Sequence, residues 1–174
     1  MLVDLCRTGH REAFDVLVVR HRRAVYQLCY RFVGNHEEAS DLTQDVLLRA
    51  FRGLRNFKGR SSFSTWLYRV GVNVCLTRVG RAAPIAVPID EEQHPVEDER
   101  ESAPDRLLRD ERARRVRAAI SRLPRKQRAT VILRLYHELP HQEIARILGS
   151  SVGAVKANLF HALGNLRKLL GDPL

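Results

Sequence analysis

Apolar residues recur at helical spacing through the first eighty positions and predict three successive helices. The first covers about 10–33, the second runs from Asn35 to about Leu54, and the third follows a loop rich in Gly and Ser and reaches about Val79. Asn35 can cap the second helix, whose first turn is acidic. The predicted inward-facing residues are Phe14, Leu17, Val18, Val25, Leu28, Cys29, Phe32, Leu42, Val46, Leu47, Ala50 and Leu54. Together these helices predict one compact all-α module over residues 1–80.

Residues 81–105 interrupt this pattern with prolines among acidic residues, which predicts an extended linker that repels itself. Helical spacing resumes in a second module over residues 106–174. Pro124 and Pro140 each begin a helix there, and Gly149 allows a left-handed turn before a longer helix. The predicted inward-facing residues are Leu107, Leu108, Val116, Ala119, Ile120, Leu123, Val131, Ile132, Leu135, Tyr136, Ile144, Ala145, Leu148, Val152, Val155, Leu159, Leu163 and Leu166. A short helix, a glycine turn and a longer helix predict a helix-turn-helix, although a plain α-hairpin in a bundle has the same pattern.

The distribution of charge favours a polyanionic partner. The net charge is +10, and residues 90–105 hold eight of the 20 acidic residues but one of the 30 basic ones, so the flanking modules are more basic than the total suggests. DNA phosphates would attract such modules, and salt would weaken that attraction steeply. No apolar run reaches the roughly 18 residues that span a bilayer, and no signal-peptide pattern opens the chain, which predicts a cytoplasmic protein.

The sequence gives little evidence for a metal, cofactor or catalytic site. His137-Glu138-Leu139-Pro140-His141 matches the zinc-protease pattern, which needs both histidines on one continuous helix. Pro140 breaks a helix there, so the histidines are expected to straddle a turn and to hold no metal. The cysteines lack paired metal-site spacing and are expected to be small buried hydrophobes, with redox sensing as the alternative. They are Cys6, Cys29 and Cys75.

A compact acidic stripe lies on the second predicted helix. Its members are Asp41, Gln44, Asp45 and Leu48, which lie three to four residues apart. Such a stripe is usually a solvated face. In a chain this basic, it is a poor surface for DNA, which favours a docking face for a basic protein partner.

Residues 57–75 combine a basic loop with aromatic residues and lead into the third helix. Phe57, Phe63, Trp66 and Tyr68 supply flat faces, Lys58, Arg60 and Arg69 supply positive charge, and Asn73 can bond a base edge. This combination suits a DNA strand whose bases have left the stack. An aromatic core face behind an ordinary loop is the alternative.

The last long helix carries a candidate DNA-reading face. Lys156 and Asn158 can bond base edges or phosphates in a major groove, and Phe160 can touch a thymine methyl group or simply pack. His161 lies on the same outward side. Arg167 and Lys168 come late in the helix and are expected to meet phosphate or solvent.

Three of these segments together resemble the extracytoplasmic-function (ECF) sigma factors, the smallest class of bacterial transcription initiation factors. Asp41-Leu42-Thr43-Gln44-Asp45 resembles the family's Asp-Leu-x-Gln-Glu helix. The run Phe-Ser-Thr-Trp-Leu-Tyr-Arg-Val-Gly-Val-Asn at 63–73 resembles its Phe-x-Thr-Trp-Leu-x-x-Ile-Ala-x-Asn run. Three further segments resemble the family's C-terminal module, namely Leu123-Pro124, Ile144-Ala145 and Val152-Gly153-Ala154-Val155-Lys156. The three motifs occur in the family's order over roughly residues 10–80 and 107–170.

The resemblance implies a function without catalytic chemistry. The first module corresponds to sigma region 2, the second to sigma region 4, and the acidic linker to the segment that threads toward the polymerase active centre. The acidic stripe falls where the family contacts the clamp helices of the largest core RNA polymerase subunit, and region 4 implies the flap of the second-largest subunit. Promoter DNA is the other partner, an anti-sigma factor is expected by analogy, and no small-molecule substrate or cofactor is expected.

The resemblance also implies which residues meet each promoter element. Those at the family's −10 position, where a flipped base is captured, are Phe57, Lys58, Gly59, Arg60, Ser61, Ser62 and Asn73. Those at its −35 position are Lys156, Ala157, Asn158, Phe160 and His161. Ala157, Asn158 and His161 depart from the Ser, Arg and Arg of many members, which removes positive charge from the reading helix. Gly71 replaces a family Ala and is expected to loosen the third helix by about 0.5–1 kcal/mol.

Two other functions stay open on the residues alone. One is a stand-alone helix-turn-helix regulator with an N-terminal sensing or dimerising domain, which would bind duplex DNA tightly without polymerase. The other is an enzyme, either a zinc hydrolase or a recombinase that uses a serine, for which the chain offers no convincing set of residues. The favoured prediction is an all-α protein of two small helical domains, joined by an acidic flexible linker, that initiates transcription.

Overall fold

The computed structural model describes residues 2–81 and 102–171, and every regular element in these two ranges is helical. The elements are α1 (Leu2–Arg7), α2 (Arg11–Val33), α3 (His36–Gly53), a 3₁₀ turn (Leu54–Asn56), α4 (Phe63–Arg81), α5 (Ala103–Ser121), α6 (Arg125–Val131), a π-helical segment (Ile132–Tyr136), α7 (His141–Leu148) and α8 (Val152–Leu170). The all-α prediction is confirmed. Within the described ranges no helix is both long and apolar enough to cross a membrane. Most of the predicted linker lies outside the described residues.

The first module packs α2, α3 and α4 around a shared core, as the periodicity predicts. Gly34 ends α2 in the left-handed region at φ 70°, and the Asn35 side chain accepts a hydrogen bond of 2.9 Å from the Glu38 amide to begin α3. Ser62 caps α4 in the same way, accepting a bond of 3.1 Å from the Thr65 amide. The helix boundaries of this module are confirmed to within two residues, whereas α1 was not predicted.

The second module contains α5 to α8, and two of its helices begin with a serine cap. Ser102 accepts a hydrogen bond from the Asp105 amide, so α5 begins three residues before the predicted boundary. Its first turn includes Pro104, which the sequence predicts to lie in the linker. Proline is tolerated in a first turn because the amide there has no partner within the helix. Gly149 adopts the left-handed region at φ 61°, and Ser151 then caps α8, so the predicted helix-turn-helix is confirmed.

Four leucines predicted to face inward in this module are exposed, and those predictions are wrong. They are Leu107, Leu108, Leu135 and Leu163. The π-helical segment explains Leu135, because its wider turn adds a residue and rotates the following positions, so that Leu133 is buried instead. On α8, Ala162 and Leu166 face the core, which leaves Leu163 outside. Leu107 and Leu108 lie before the part of α5 that packs.

The two modules pack against each other through a surface that the sequence did not predict, which we call the inter-module face. The Tyr68 hydroxyl lies 2.9 Å from His137 Nδ1, and Arg125 donates a 2.9 Å bond to the carbonyl oxygen of Leu76. Beside them, Arg128 donates to the Phe32 carbonyl, and the Arg31 guanidinium lies 4.0 Å from the centre of the Tyr136 ring. Buried residues of both modules form one continuous core behind these contacts.

Candidate functional site

The acidic stripe of α3 lies on the surface because the other side of the helix is core. Leu42 and Val46 are buried, whereas Asp41, Gln44 and Leu48 are exposed, and 54% of Leu48 is open to solvent. Asp45 is half-buried and pairs with Arg49 at 2.9 Å, and the hydrogen bond to this carboxylate raises the pKa of Arg49. The stripe thus presents acids beside an apolar side chain.

The stripe extends beyond the residues chosen from the sequence. At its N-terminal end, Glu38 pairs with Arg78 of α4 at 2.5 Å, next to Glu37. At its other end, Phe51 is 41% exposed, and its ring meets the Phe14 ring at a centroid distance of 5.0 Å. Phe51 follows Leu48 by three residues, so helical spacing alone could have found it.

The loop before α4 is basic and exposed, and it is anchored by buried aromatic rings. Lys58, Gly59, Arg60 and Ser62 are exposed, and Ser61 is half-buried. Phe57 is different, because its side chain is 8% exposed and packs against Trp66 and Phe63 at centroid distances of 5.2 and 6.4 Å. The expectation that Phe57 offers a free flat face is therefore corrected, since the aromatic cluster already covers its ring.

Asn73 is exposed on α4, eleven residues after Ser62, which is about 16 Å along the helix axis. A base that contacts Ser62 therefore lies too far along the helix to contact Asn73 as well. They do share one side of the helix, because Trp66, Arg69 and Asn73 follow Ser62 at spacings of three and four residues. Arg69 is exposed and Trp66 half-buried, so one side of the helix connects the loop to Asn73. The sequence contained this spacing, but the predicted site omitted both residues.

The outward side of α8 is open to solvent. Lys156, Ala157, Phe160 and His161 are exposed, and Phe160 is the most open of them at 74%. Asn158 lies at the edge of this face and is half-buried. The rings of Phe160 and His161 meet edge to face at a centroid distance of 5.6 Å. If this helix enters a groove, it presents the positive charge of Lys156 and the rings of Phe160 and His161 to the bases.

The zinc-protease pattern does not form a zinc-protease helix. His137 follows the π-helical segment, His141 begins α7, and Pro140 lies in the turn between them, so the expected straddling is confirmed. His137 bonds to Tyr68 instead, and burial, helped by nearby Arg31, lowers the pKa of His137 to about 4. Burial, with a smaller effect from Glu143, raises the pKa of Tyr68. Over residues 2–81 and 102–171, no three potential ligand side chains cluster as a metal would require.

The cysteines are packed mainly as expected. Cys29 and Cys75 are fully buried, and their sulfur atoms lie 3.7 Å apart between α2 and α4. The contact with Cys29, reinforced by burial, raises the pKa of Cys75. Cys6 is half-buried on α1. The prediction of buried small hydrophobes is confirmed for Cys29 and Cys75.

Comparisons with known proteins agree with this geometry. The family model described as Sigma-70 region 2 matches residues 17–84, and the one described as Sigma-70, region 4 matches residues 113–166. The RNA polymerase sigma-H factor of Pseudomonas aeruginosa is 34% identical, over 97% of this chain and 92% of that protein. The ECF RNA polymerase sigma factor SigM of Mycobacterium tuberculosis is 36% identical, over 94% of this chain and 80% of that protein.

The fold also matches solved structures. CnrH, solved in complex with the cytosolic domain of CnrY, superposes with a TM-score of 0.70 at 24% identity, over 97% of this chain and 94% of that one. RpoE of Bartonella quintana, solved with the anti-sigma factor NepR, gives a TM-score of 0.63 at 20% identity, over 90% of this chain and 96% of that one. The chain therefore belongs to the ECF sigma factors of the sigma-70 family, and it is a non-enzymatic transcription initiation factor that binds core RNA polymerase and directs it to promoters.

Proposed function

We propose that each task of this initiation factor belongs to one of the surfaces described above. Residues 1–80 act as sigma region 2, which binds polymerase through α3 and captures the −10 element through the basic loop and Asn73. Residues 106–174 act as sigma region 4, which reads the −35 element through α8. Residues 81–105 connect the two and run toward the polymerase active centre, where their negative charge suits a channel built for nucleic acid.

The observation that carries this proposal is the exposed acidic stripe of α3 in a chain of net charge +10. DNA would repel Asp41 and Asp45, whereas a basic protein surface would attract them and leave Leu48 as an apolar anchor beside them. The clamp helices of the largest polymerase subunit are the proposed partner of this stripe. Phe51 extends the apolar end of the same surface.

The basic loop and the adjoining side of α4 support capture of a melted strand. Lys58 and Arg60 attract phosphates, the Gly59 backbone at φ 67° leaves room beside them, and Asn73 can bond a base edge. The role of Phe57 is to anchor the loop by packing against Trp66 rather than to stack on a base. Because Ser62 and Asn73 are about 16 Å apart along the helix, these two residues hold different nucleotides of one strand, with Arg69 between them.

On α8, exposure supports a reading face in the major groove. Lys156 and His161 can bond base edges or phosphates, and Phe160 can contact a thymine methyl group. Ala157 adds no charge, and half-buried Asn158 reaches the groove from the edge of the face. The second module also meets the flap of the second-largest subunit. Because this face of α8 carries few charges, its affinity for DNA is expected to depend less on salt than that of a face rich in Arg.

We also propose an anti-sigma partner and a cytoplasmic site of action. CnrH was solved with the cytosolic domain of CnrY bound, and the Bartonella RpoE was solved with the anti-sigma factor NepR bound. Polymerase and promoter DNA, the two obligate partners, are cytoplasmic in bacteria.

Two variants that serve as controls for each other test the assignment. Asp41→Lys with Asp45→Lys reverses the stripe and is expected to abolish capture of core polymerase in a pull-down. Asn73→Ala is expected to leave the pull-down unchanged and to reduce permanganate reactivity of promoter thymines at least tenfold. If the lysine variant still captured polymerase, the proposal that the α3 stripe is the docking face would be contradicted. If permanganate reactivity were unchanged in the alanine variant, Asn73 would have no role in the −10 site.

A further inference from the structure

A cavity between α1, α2 and the end of α3 has no part in the surfaces described above. It encloses about 330 Å³, and three arginines and a histidine line it, whereas none of the described residues that line it is acidic. We propose that this space, which we call the α1 cavity, is a binding site for a small aromatic anion of the nucleoside monophosphate kind. The site goes beyond the proposed function, because neither polymerase nor promoter DNA is assigned to the interior of this cavity.

The α1 cavity exists because α1 packs against both α2 and the 3₁₀ turn that follows α3. The chain reverses at Gly9, whose φ is 98°, and the His10 amide donates a 3.1 Å hydrogen bond to the Leu5 carbonyl oxygen, which holds this turn. Cys6 of α1 and Leu54 of the 3₁₀ turn both line the space that remains. Its volume lies at the small end of the range of about 300–1,000 Å³ for ligand pockets, so the occupant is a small molecule.

The positive charge of the α1 cavity is not neutralised within the chain. Arg11 lies in the first turn of α2, whereas Arg52 and Arg55 lie at the end of α3 and in the 3₁₀ turn, so the charge comes from two sides. All three arginines are exposed, and none forms an ion pair with another described residue. His10 gives α2 no side-chain cap, which leaves the amides of its first turn available to an anion. A phosphate would therefore meet guanidinium groups and helix amides together.

The apolar part of the lining is mainly aromatic. Phe14 and Phe51 meet edge to face, with their ring centroids 5.0 Å apart and their planes inclined at 61°. Phe51 is 41% exposed, so part of its ring is open to another flat group, and aromatic rings favour such offset or edge-to-face contacts. An inorganic ion would use the arginines and leave these rings uncovered. The proposed ligand therefore joins an aromatic ring to a phosphate.

Cys6 makes occupancy of the α1 cavity measurable in the unmodified protein. Cys29 and Cys75 are fully buried, whereas Cys6 is half-buried and lines the cavity. Iodoacetamide, a neutral reagent, is therefore expected to modify Cys6 alone in the folded chain, and saturating adenosine monophosphate is expected to slow this reaction about tenfold by covering the thiol. Adenosine lacks the phosphate and ribose 5-phosphate lacks the base. Each is expected to need a concentration about tenfold higher for the same protection, because it loses one of the two kinds of contact.

A charge variant tests the α1 cavity without any ligand. The rate at which iodoacetate, an anion, modifies Cys6 is divided by the rate for iodoacetamide, so that the thiolate fraction cancels. Arg52→Ala with Arg55→Ala is expected to lower this ratio about tenfold at low salt, because less positive charge concentrates the anion near the thiol. The same variant is expected to lose protection by adenosine monophosphate. Arg22→Ala with Arg23→Ala removes two exposed charges of α2 outside the cavity and is the matched control, which is expected to change neither result.

Each outcome supports or overturns the site. Protection by adenosine monophosphate that exceeds protection by both control ligands, and that only the cavity variant loses, supports it. Equal protection by ribose 5-phosphate would indicate a site for any anion, and absence of protection at millimolar concentration would indicate no site at all. Protection by a single-stranded oligonucleotide but not by the mononucleotide would assign the cavity to promoter DNA. Each of these three results overturns the proposal. The polymerase pull-down of the α3 variants uses none of these measurements, so failure of this site and failure of the proposed function can be told apart.

Discussion

The two modules differ in how faithfully helical spacing predicts their buried faces. In the first, the residues predicted to face inward on α2 and α3 are buried or half-buried, because these helices are regular and pack along their length. In the second, Leu107, Leu108, Leu135 and Leu163 turn outward. The difference teaches that periodicity predicts burial where a helix is regular and covered throughout, and fails where the turn widens or a helix extends past its partner.

The same comparison holds for chemistry. The first module has an acidic face on α3 and a basic loop that leads into α4, so its two proposed partners of opposite charge meet different parts of the module. The second module presents one mixed reading face on α8. This contrast predicts that single substitutions in the first module separate polymerase binding from DNA capture, whereas those on α8 affect DNA alone.

Two phenylalanines give the sharpest contrast between the modules. Phe32 of α2 is 1% exposed, whereas Phe160 of α8 is 74% exposed. Phe32→Ala is expected to lower the free energy of unfolding by about 3–5 kcal/mol, because it leaves a large cavity in the shared core. Phe160→Ala is expected to change it by less than about 0.5 kcal/mol. Urea unfolding followed by circular dichroism measures both, and a loss below about 1 kcal/mol for Phe32→Ala would contradict the continuous core.

Much of this architecture could be predicted from residues because its determinants are local. The Asn35 and Ser62 caps, the left-handed Gly149 and the outward stripe of α3 depend on spacing and on side-chain chemistry within a few positions. Phe57 was misplaced because its cover comes from Trp66, nine residues later, and an aromatic residue beside a basic loop has the same sequence signature whether it packs or stacks. The Tyr68–His137 contact joins residues 69 positions apart, and no local pattern reports it.

Acid is expected to weaken the contact between the two modules at the inter-module face. The docked state keeps His137 neutral, with its pKa lowered to about 4, whereas a separated module would return it to about 6.5. The separated form therefore binds a proton more readily, and docking weakens as the pH falls from about 6.5 toward 4. Between pH 7.5 and 5.5 the equilibrium between packed and separated modules is expected to shift about tenfold, or about 1.4 kcal/mol, toward separated modules. Scattering at the two pH values measures the change in radius.

A matched variant isolates this titration. The groups that face His137 are Arg31 of α2 and Tyr68 of α4, with Glu143 behind Tyr68. His137→Gln keeps a polar side chain at the same position but cannot take up the proton, so the equilibrium between packed and separated modules is expected to vary little over the same range. An equal response in the two proteins would assign the pH dependence to other groups. His21, whose pKa burial also lowers, lies in the first module and does not contact the second module through any described bond.

The smallest effects distinguish close helix packing from free helix surface. Gly71 of α4 is buried where a β-carbon would lie 2.9 Å from Leu28 Cδ2, whereas a β-carbon at Gly164 of α8 would have nothing within 4 Å. The sequence predicted that Gly71 only loosens its helix, but the structure shows that it also permits the approach of α2. Gly164→Ala is expected to stabilise the protein by about 0.5–1 kcal/mol, the ordinary gain in helix propensity. Gly71→Ala gains the same amount but overpacks the core by about 1–3 kcal/mol, so a net loss of about 1 kcal/mol is expected.

The double variant Gly71→Ala with Leu28→Val identifies the cause. Shortening Leu28 makes room for the added methyl group, so the two substitutions together are expected to destabilise by less than the sum of their separate effects, since residues in contact are not additive. Thermal unfolding of the three variants and of Gly164→Ala measures the coupling. If Gly71→Ala raised the melting temperature as Gly164→Ala does, α2 and α4 would not approach as closely as described, and the contrast between a tightly packed first module and an open α8 surface would lose its basis.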